Sequence, residues 1–191
     1  MGLTIHYSGK LRGPECIQPL IEETIDICQS LNWPYEILPI DPEVPVEGIL
    51  ANPEGSEPLW LTFLKDGTMC NPILYAYVLK EEGQGIPAEA EQWLFTKTQF
   101  AGADAHMAMI RFMRYLSEKY FERFELHDES QFWETNDEEQ CRKTFEKYGL
   151  IMDMMEAALE SLEHVPDEPV EKLADRIEKL LGERFGMKRV E

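Results

Sequence analysis

Basic residues are scarce in this chain. Lys and Arg number 18 against 37 Asp and Glu in 191 residues, giving a net charge of −19 and a pI near 4.6. A surface of that sign repels phosphate backbones and anionic lipid, which argues against nucleic acid and membrane surfaces as partners. Long apolar runs are missing too: none approaches the roughly 18 residues that a membrane span needs. The opening Met1-Gly2-Leu3-Thr4-Ile5-His6 has neither the basic flank nor the apolar stretch of a signal peptide, so cytoplasmic residence is the default expectation. Four cysteines, Cys16, Cys28, Cys70 and Cys141, stand far apart with no Cys-x-x-Cys and no His at zinc-finger spacing, so reduced thiols are expected and no metal site. Gly-x-Ser-x-Gly, His-Glu-x-x-His and EF-hand patterns are also missing, which removes the commonest hydrolase and metal signatures.

What is present is a globular composition, 43% hydrophobic, with periodicity of two kinds. Leu3 to Tyr7 alternates as a strand. After the break Ser8-Gly9-Lys10-Leu11-Arg12-Gly13, Pro14 suits a first helical position, and Ile17, Leu20, Ile21, Cys28 and Leu31 recur at helical spacing up to Trp33-Pro34. Tyr35 to Ile40 is a second strand, so residues 3–41 read as a βαβ unit with parallel strands. The plan returns later. Trp93 to Thr98 is a strand, Asp104 is placed as an N-cap, Ala105, Ala108, Met109, Phe112, Met113, Leu116 and Tyr120 form a helical stripe, and Phe124 to His127 closes a second unit. Between the units lie strands at Val46–Ala51 and Leu59–Leu64 and a further segment at Pro72–Leu79. Residues 80–91 read as a polar loop whose Gly83-Gln84-Gly85-Ile86-Pro87-Ala88 only mimics part of a dinucleotide fingerprint.

From Thr135 the pattern becomes helical. Thr135 to Glu138 has capping-box spacing, and Cys141, Phe145, Tyr148, Met152, Met155, Leu159 and Leu162 form a heptad seam. Beyond the turn at His164–Pro169, Val170, Leu173, Ala174, Ile177, Leu180 and Leu181 mark a second helix. The fold expected is therefore mixed α/β. It has one mixed sheet of about five or six strands with two βαβ units over residues 1–134, and a C-terminal helical hairpin over 135–191 packed on it as one compact unit. The seam fits either core packing or a homodimer interface.

Candidate chemistry collects where βαβ units collect ligands, at the C-terminal strand edges. Lys97, Thr98 and Gln99 end the first strand of the second unit, and His106 lies early in its helix. His127, Asp128 and Glu129 emerge at the same edge, followed by Trp133 and Glu134. The run Thr96-Lys97-Thr98-Gln99-Phe100-Ala101, with His106, Asp128-Glu129 and Trp133-Glu134-Thr135, resembles an uncharacterised family of bacterial hypothetical proteins, a resemblance that implies no activity.

The residues themselves suggest a site for a small anionic molecule. Lys97 would hold the anion and Gln99 orient it, with Trp133 and Glu134 alongside. His106 would be a proton donor or acceptor, and Asp128 or Glu129 would orient it or ligate a metal. In that reading Lys97, His106 and Asp128 can each be truncated at little expense to the fold. Each also has a purely structural reading, as a helix-start residue, an ion pair or a turn. Lys10 and Arg12, beside Gly9 before a helix start, suggest a second anion niche or a solvated basic turn. A non-catalytic interaction module using the C-terminal hairpin is the competing function, and a metal hydrolase built on His106, His127 and Asp128 is a third.

Overall fold

The computed structural model describes residues 2–38, 46–82, 92–161 and 169–185. The Gly83–Ala88 segment, Leu162 and His164 lie outside them. The chain divides into two compact units, residues 1–145 and 146–191.

Unit 1 mixes helices and strands, as its two periodicities require, but the strands form two three-stranded sheets rather than one larger sheet. The first has the order β5 (Leu94–Lys97), β1 (Thr4–Leu11), β6 (Phe121–Asp128), and the second β2 (Tyr35–Leu38), β3 (Val46–Ala51), β4 (Leu59–Leu64). All four pairings are antiparallel. The first expected βαβ unit does not exist, because β1 and β2 belong to different sheets. The second exists in split form. The helix α3 (Gly102–Tyr120) connects β5 to β6, which run the same way, and β1 lies between them antiparallel to both.

The break expected at Ser8–Gly13 is largely strand. β1 continues to Leu11, and Gly9 allows it, since a Cβ there would sit 2.7 Å from the Arg123 carbonyl and 2.9 Å from the Phe121 ring. The two sheets are tied by Tyr7, whose buried hydroxyl accepts the Trp60 backbone N–H at 2.8 Å and meets Thr96 Oγ1 at 3.3 Å. The helices α1 (Ile17–Leu31) and α3 supply Leu20, Ile21, Cys28, Met107, Met109, Ile110 and Met113 to one shared core with Ile5, Tyr7, Ile49, Leu61 and Phe63.

The segment expected as a strand at 72–79 is instead helix α2 (Pro72–Glu82). Asn71 decides this locally: its Oδ1 accepts the N–H groups of Ile73 and Leu74 at 3.0 and 3.1 Å, and Pro72 follows at the first helical position. Asp104 is not a cap, because α3 already starts at Gly102. It lies in the first turn, where a carboxylate complements the helix dipole, and pairs with Arg142.

After a single short turn of helix, α4 (Phe132–Thr135), the helix α5 (Glu138–Glu160) begins, with the Asp137 side chain accepting the Gln140 N–H at 3.0 Å in place of the expected Thr135 cap. Cys141 and Phe145 pack with the core of unit 1, so its boundary falls at 145, eleven residues beyond the expected 134. Unit 2 holds the rest of α5 and α6 (Val170–Phe185). Along α5, Tyr148, Met152 and Met155 are half-buried, then Ala158 is fully buried while Leu159 is 40% exposed. A straight helix of 3.6 residues per turn drifts off a strict heptad in this way. No helix among the described residues is long and apolar enough to cross a membrane.

Candidate functional site

The split arrangement brings the ends of β5 and β6 to one edge, on either side of the start of β1. Register then sorts the expected residues by face, because cross-strand partners share a face and neighbours alternate. Ile5 pairs with both Thr96 and Asp128, so these point to the core. Thr4 pairs with Lys97, and His6 with Phe95 and His127, so these point to the opposite face.

On the core side, His106 and Asp128 meet. His106 Nε2 lies 3.1 Å from Asp128 Oδ1, and neither side chain is exposed to solvent. Ser130, absent from the expected set, completes the group: its Oγ donates to Asp128 Oδ2 at 2.8 Å and lies 2.9 Å from His106 Nε2. Thr98 Oγ1 faces His106 Nδ1 at 2.7 Å, and Cys141 Sγ–H approaches Ser130 Oγ at 3.6 Å. Phe145 packs edge-on against the imidazole, ring centroids 5.2 Å apart. Asp128 also accepts the backbone N–H groups of Ser130 at 2.8 Å and Trp133 at 3.0 Å. Burial pushes the Asp128 carboxyl up. The hydrogen bond and charge of His106 and the two bonds from Ser130 pull it further down, to a net value below the usual carboxylate range.

This trio is not arranged for nucleophilic catalysis. The Ser130 proton is directed to Asp128, so Ser130 Oγ accepts from His106 Nε2–H; Nε2, which also faces Asp128, therefore carries a proton and cannot take one from Ser130. A catalytic triad puts the acid and the hydroxyl on opposite ring nitrogens. Ser130 shares Nε2 with Asp128, and Thr98, which does occupy Nδ1, is fully buried and out of reach of a substrate. None of the trio lines the cleft at the start of α3 or the smaller one bounded by Pro58, Trp60 and Phe95. The cluster is a closed, fully hydrogen-bonded support that locks α3, the end of β6 and the 128–133 turn together.

Of the other expected residues, Lys97, Gln99 and Glu129 gather around Gly2–Thr4, apart from this cluster, and the rest disperse. Lys97 and Gln99 both approach Gly2, where a Cβ would lie 3.2 Å from Lys97 Cε and 2.6 Å from Gln99 Oε1. Glu129 is exposed and accepts the Thr4 N–H at 2.9 Å. His127 is exposed on the outer face beside His6, ring centroids 6.3 Å apart, and so is separated from His106 and Asp128, contrary to the hydrolase reading. Among the described residues no group of three or more His, Cys, Asp or Glu side chains could hold a metal ion.

Trp133 is half-buried against Phe124, with the Arg114 guanidinium 5.0 Å above its ring, and Glu134 is exposed. Lys10 and Arg12 lie at the opposite end of β1. There Lys10 pairs with Asp66 at 3.2 Å, and Arg12 donates to the Glu118 and Phe121 carbonyls where α3 ends, which is helix capping rather than an anion niche.

A cleft does open at the start of α3, just past Gln99. It has a volume of about 580 Å³ and is formed by three short segments, Leu31–Trp33 at the end of α1, Pro53–Gly55 between β3 and β4, and Phe100–Ala101 with Ala105. Asn32 adopts a left-handed conformation, φ 54°, that ends α1 and turns Trp33 back. Gly55, at φ +77°, brings its turn against the Phe100 carbonyl, where a Cβ would be only 2.7 Å away. The sequence marks Pro53-Glu54-Gly55 as a turn, but nothing local shows that it meets residues 100–101. Comparison of the chain with known proteins finds no family model, no curated protein and no solved structure that matches it.

Proposed function

We propose that this protein binds a small molecule in the cleft at the start of α3, with the His106–Asp128–Ser130 cluster as the rigid support of one wall rather than as catalytic machinery. The observation that carries this reading is the cleft itself. Its volume falls within the range of ligand sites, roughly 300–1,000 Å³, and its lining is mixed polar and apolar. Here Leu31, Trp33, Pro53, Phe100, Ala101 and Ala105 surround Asn32 and Glu54. Lys97 and Gln99 stand near but outside it, so the ligand is not held by the cation at the end of β5.

A fragment screen followed by amide chemical shifts tests the reading. Hits should perturb Trp33, Gly55 and Ala101, and Ala105→Trp, which fills the cleft, should abolish them without lowering the thermal midpoint. Hits that map elsewhere and survive Ala105→Trp would remove the cleft from consideration.

One observation favours a second reading, self-association through unit 2. Leu150 and Met154, one helical turn apart on α5, are 64% and 56% exposed and form a small apolar pair on its surface.

A further inference from the structure

We infer that the ligand of this cleft is an organic cation, an ammonium group on a small apolar body; the inference rests on the cleft being the binding site. Among its lining residues Glu54 alone bears a formal charge, and Trp33 and Phe100 supply aromatic rings. An ammonium entering the cleft gives up strongly bound water, and a carboxylate together with the negative faces of aromatic rings is a combination that replaces it.

Trp33 is fixed by its packing: its ring and that of Phe112 make a T-shaped contact, centroids 6.3 Å apart at 75°. Phe100 is 72% exposed, an apolar ring left available at the cleft mouth. The end of α1 adds to the same sign. Helix C-termini carry partial negative charge, and the last turn of α1 contains no basic residue to offset it. The start of α3 on the other wall has the opposite polarity, and the Asp104 carboxylate in its first turn is paired with Arg142, so the negative charge at the cleft is that of Glu54 and the end of α1. With a net charge of −19, the chain also draws cations toward its surface at long range. An anion would meet Glu54 with no lining cation to compensate.

The test uses three probes of one shape on the full chain: choline, its neutral analogue 3,3-dimethyl-1-butanol, and the anion 3,3-dimethylbutanoate. Choline should shift the amides of Trp33, Gly55 and Ala101 with an affinity at least about tenfold above that of the alcohol, and the anion should not bind, in keeping with the gain from a carboxylate and cation–π contacts. Glu54→Gln, at an exposed position, should lose that advantage while leaving the alcohol and the thermal midpoint unchanged.

Equal binding of choline and the alcohol in the cleft overturns the cationic specificity and leaves the cleft reading intact. Tighter binding of the anion does the same. If none of the three shifts a cleft residue, the cation inference falls, and the fragment screen with Ala105→Trp decides the cleft reading separately.

Discussion

His106 Nε2 and Asp128 Oδ1 are 3.1 Å apart with both side chains fully out of solvent, one from the start of α3 and the other from the end of β6. The pair closes the split β5–α3–β6 connection at the edge where β1 begins. Every polar atom around it has a partner, and no buried side-chain nitrogen or oxygen among the described residues lacks one. A group so enclosed acts on stability before it acts on anything else.

Removing one member should therefore be expensive, contrary to the expectation that truncation costs little. His106→Ala leaves a buried carboxylate without its main partner, and breaking a buried pair in this way destabilises by about 3–5 kcal/mol. Asp128→Ala should fall in the same range. The double variant should lose less than the sum, because the two share one interaction. Urea denaturation of the three variants checks this. Losses below about 1 kcal/mol would mean that water reaches the pair and screens it.

The pH dependence follows from the lowered Asp128 carboxyl. A carboxylate whose folded value lies below its unfolded value, about 3.9, adds stability that is fully present above that pH and is lost as pH falls through the lower folded value. The parent protein should lose urea resistance as the solution is acidified below about pH 4, and Asp128→Asn should show a smaller acid-dependent loss from a lower starting stability. The difference between the two curves isolates Asp128 from the exposed carboxylates. Parallel curves would show that Asp128 does not couple to folding.

Self-association through α5 makes its own prediction. If Leu150 and Met154 form a contact between copies, Leu150→Glu with Met154→Glu should turn a dimer into a folded monomer in sedimentation, with an unchanged circular-dichroism spectrum. A parent protein that already sediments as a monomer at high concentration would end that reading.

Much of the local structure was legible from residues alone, because period and caps act within a few residues of chain. The stripe from Ala105 to Tyr120 is helical wherever it packs, and alternation from Leu3 to Tyr7 makes a strand whatever its partner. Asn71-Pro72 carried a helix-start signal as clear as any, yet the apolar run after it, Ile73 to Leu79, reads equally as a strand. The placement of Lys97 and Asp128 at one edge also followed from order along the chain, since a crossover helix returns the second strand in the direction of the first.

Tertiary structure decided the rest. Period-two patterns say which residues share a face within one strand, but not which strand lies alongside. Insertion of β1 between β5 and β6 was therefore invisible, and with it the register that puts Asp128 toward the core and Lys97 away from it. Ser130 could have been noticed, since an Asp two residues before a Ser commonly closes a turn with its side chain, but its approach to His106 needed α3 in place. The cleft had no local signal at all. Leu31–Trp33, Pro53–Gly55 and Phe100–Ala105 are distant in sequence, and only the packing of α1 and α3 with the two sheets, driven by burial of their apolar faces, brings these segments together.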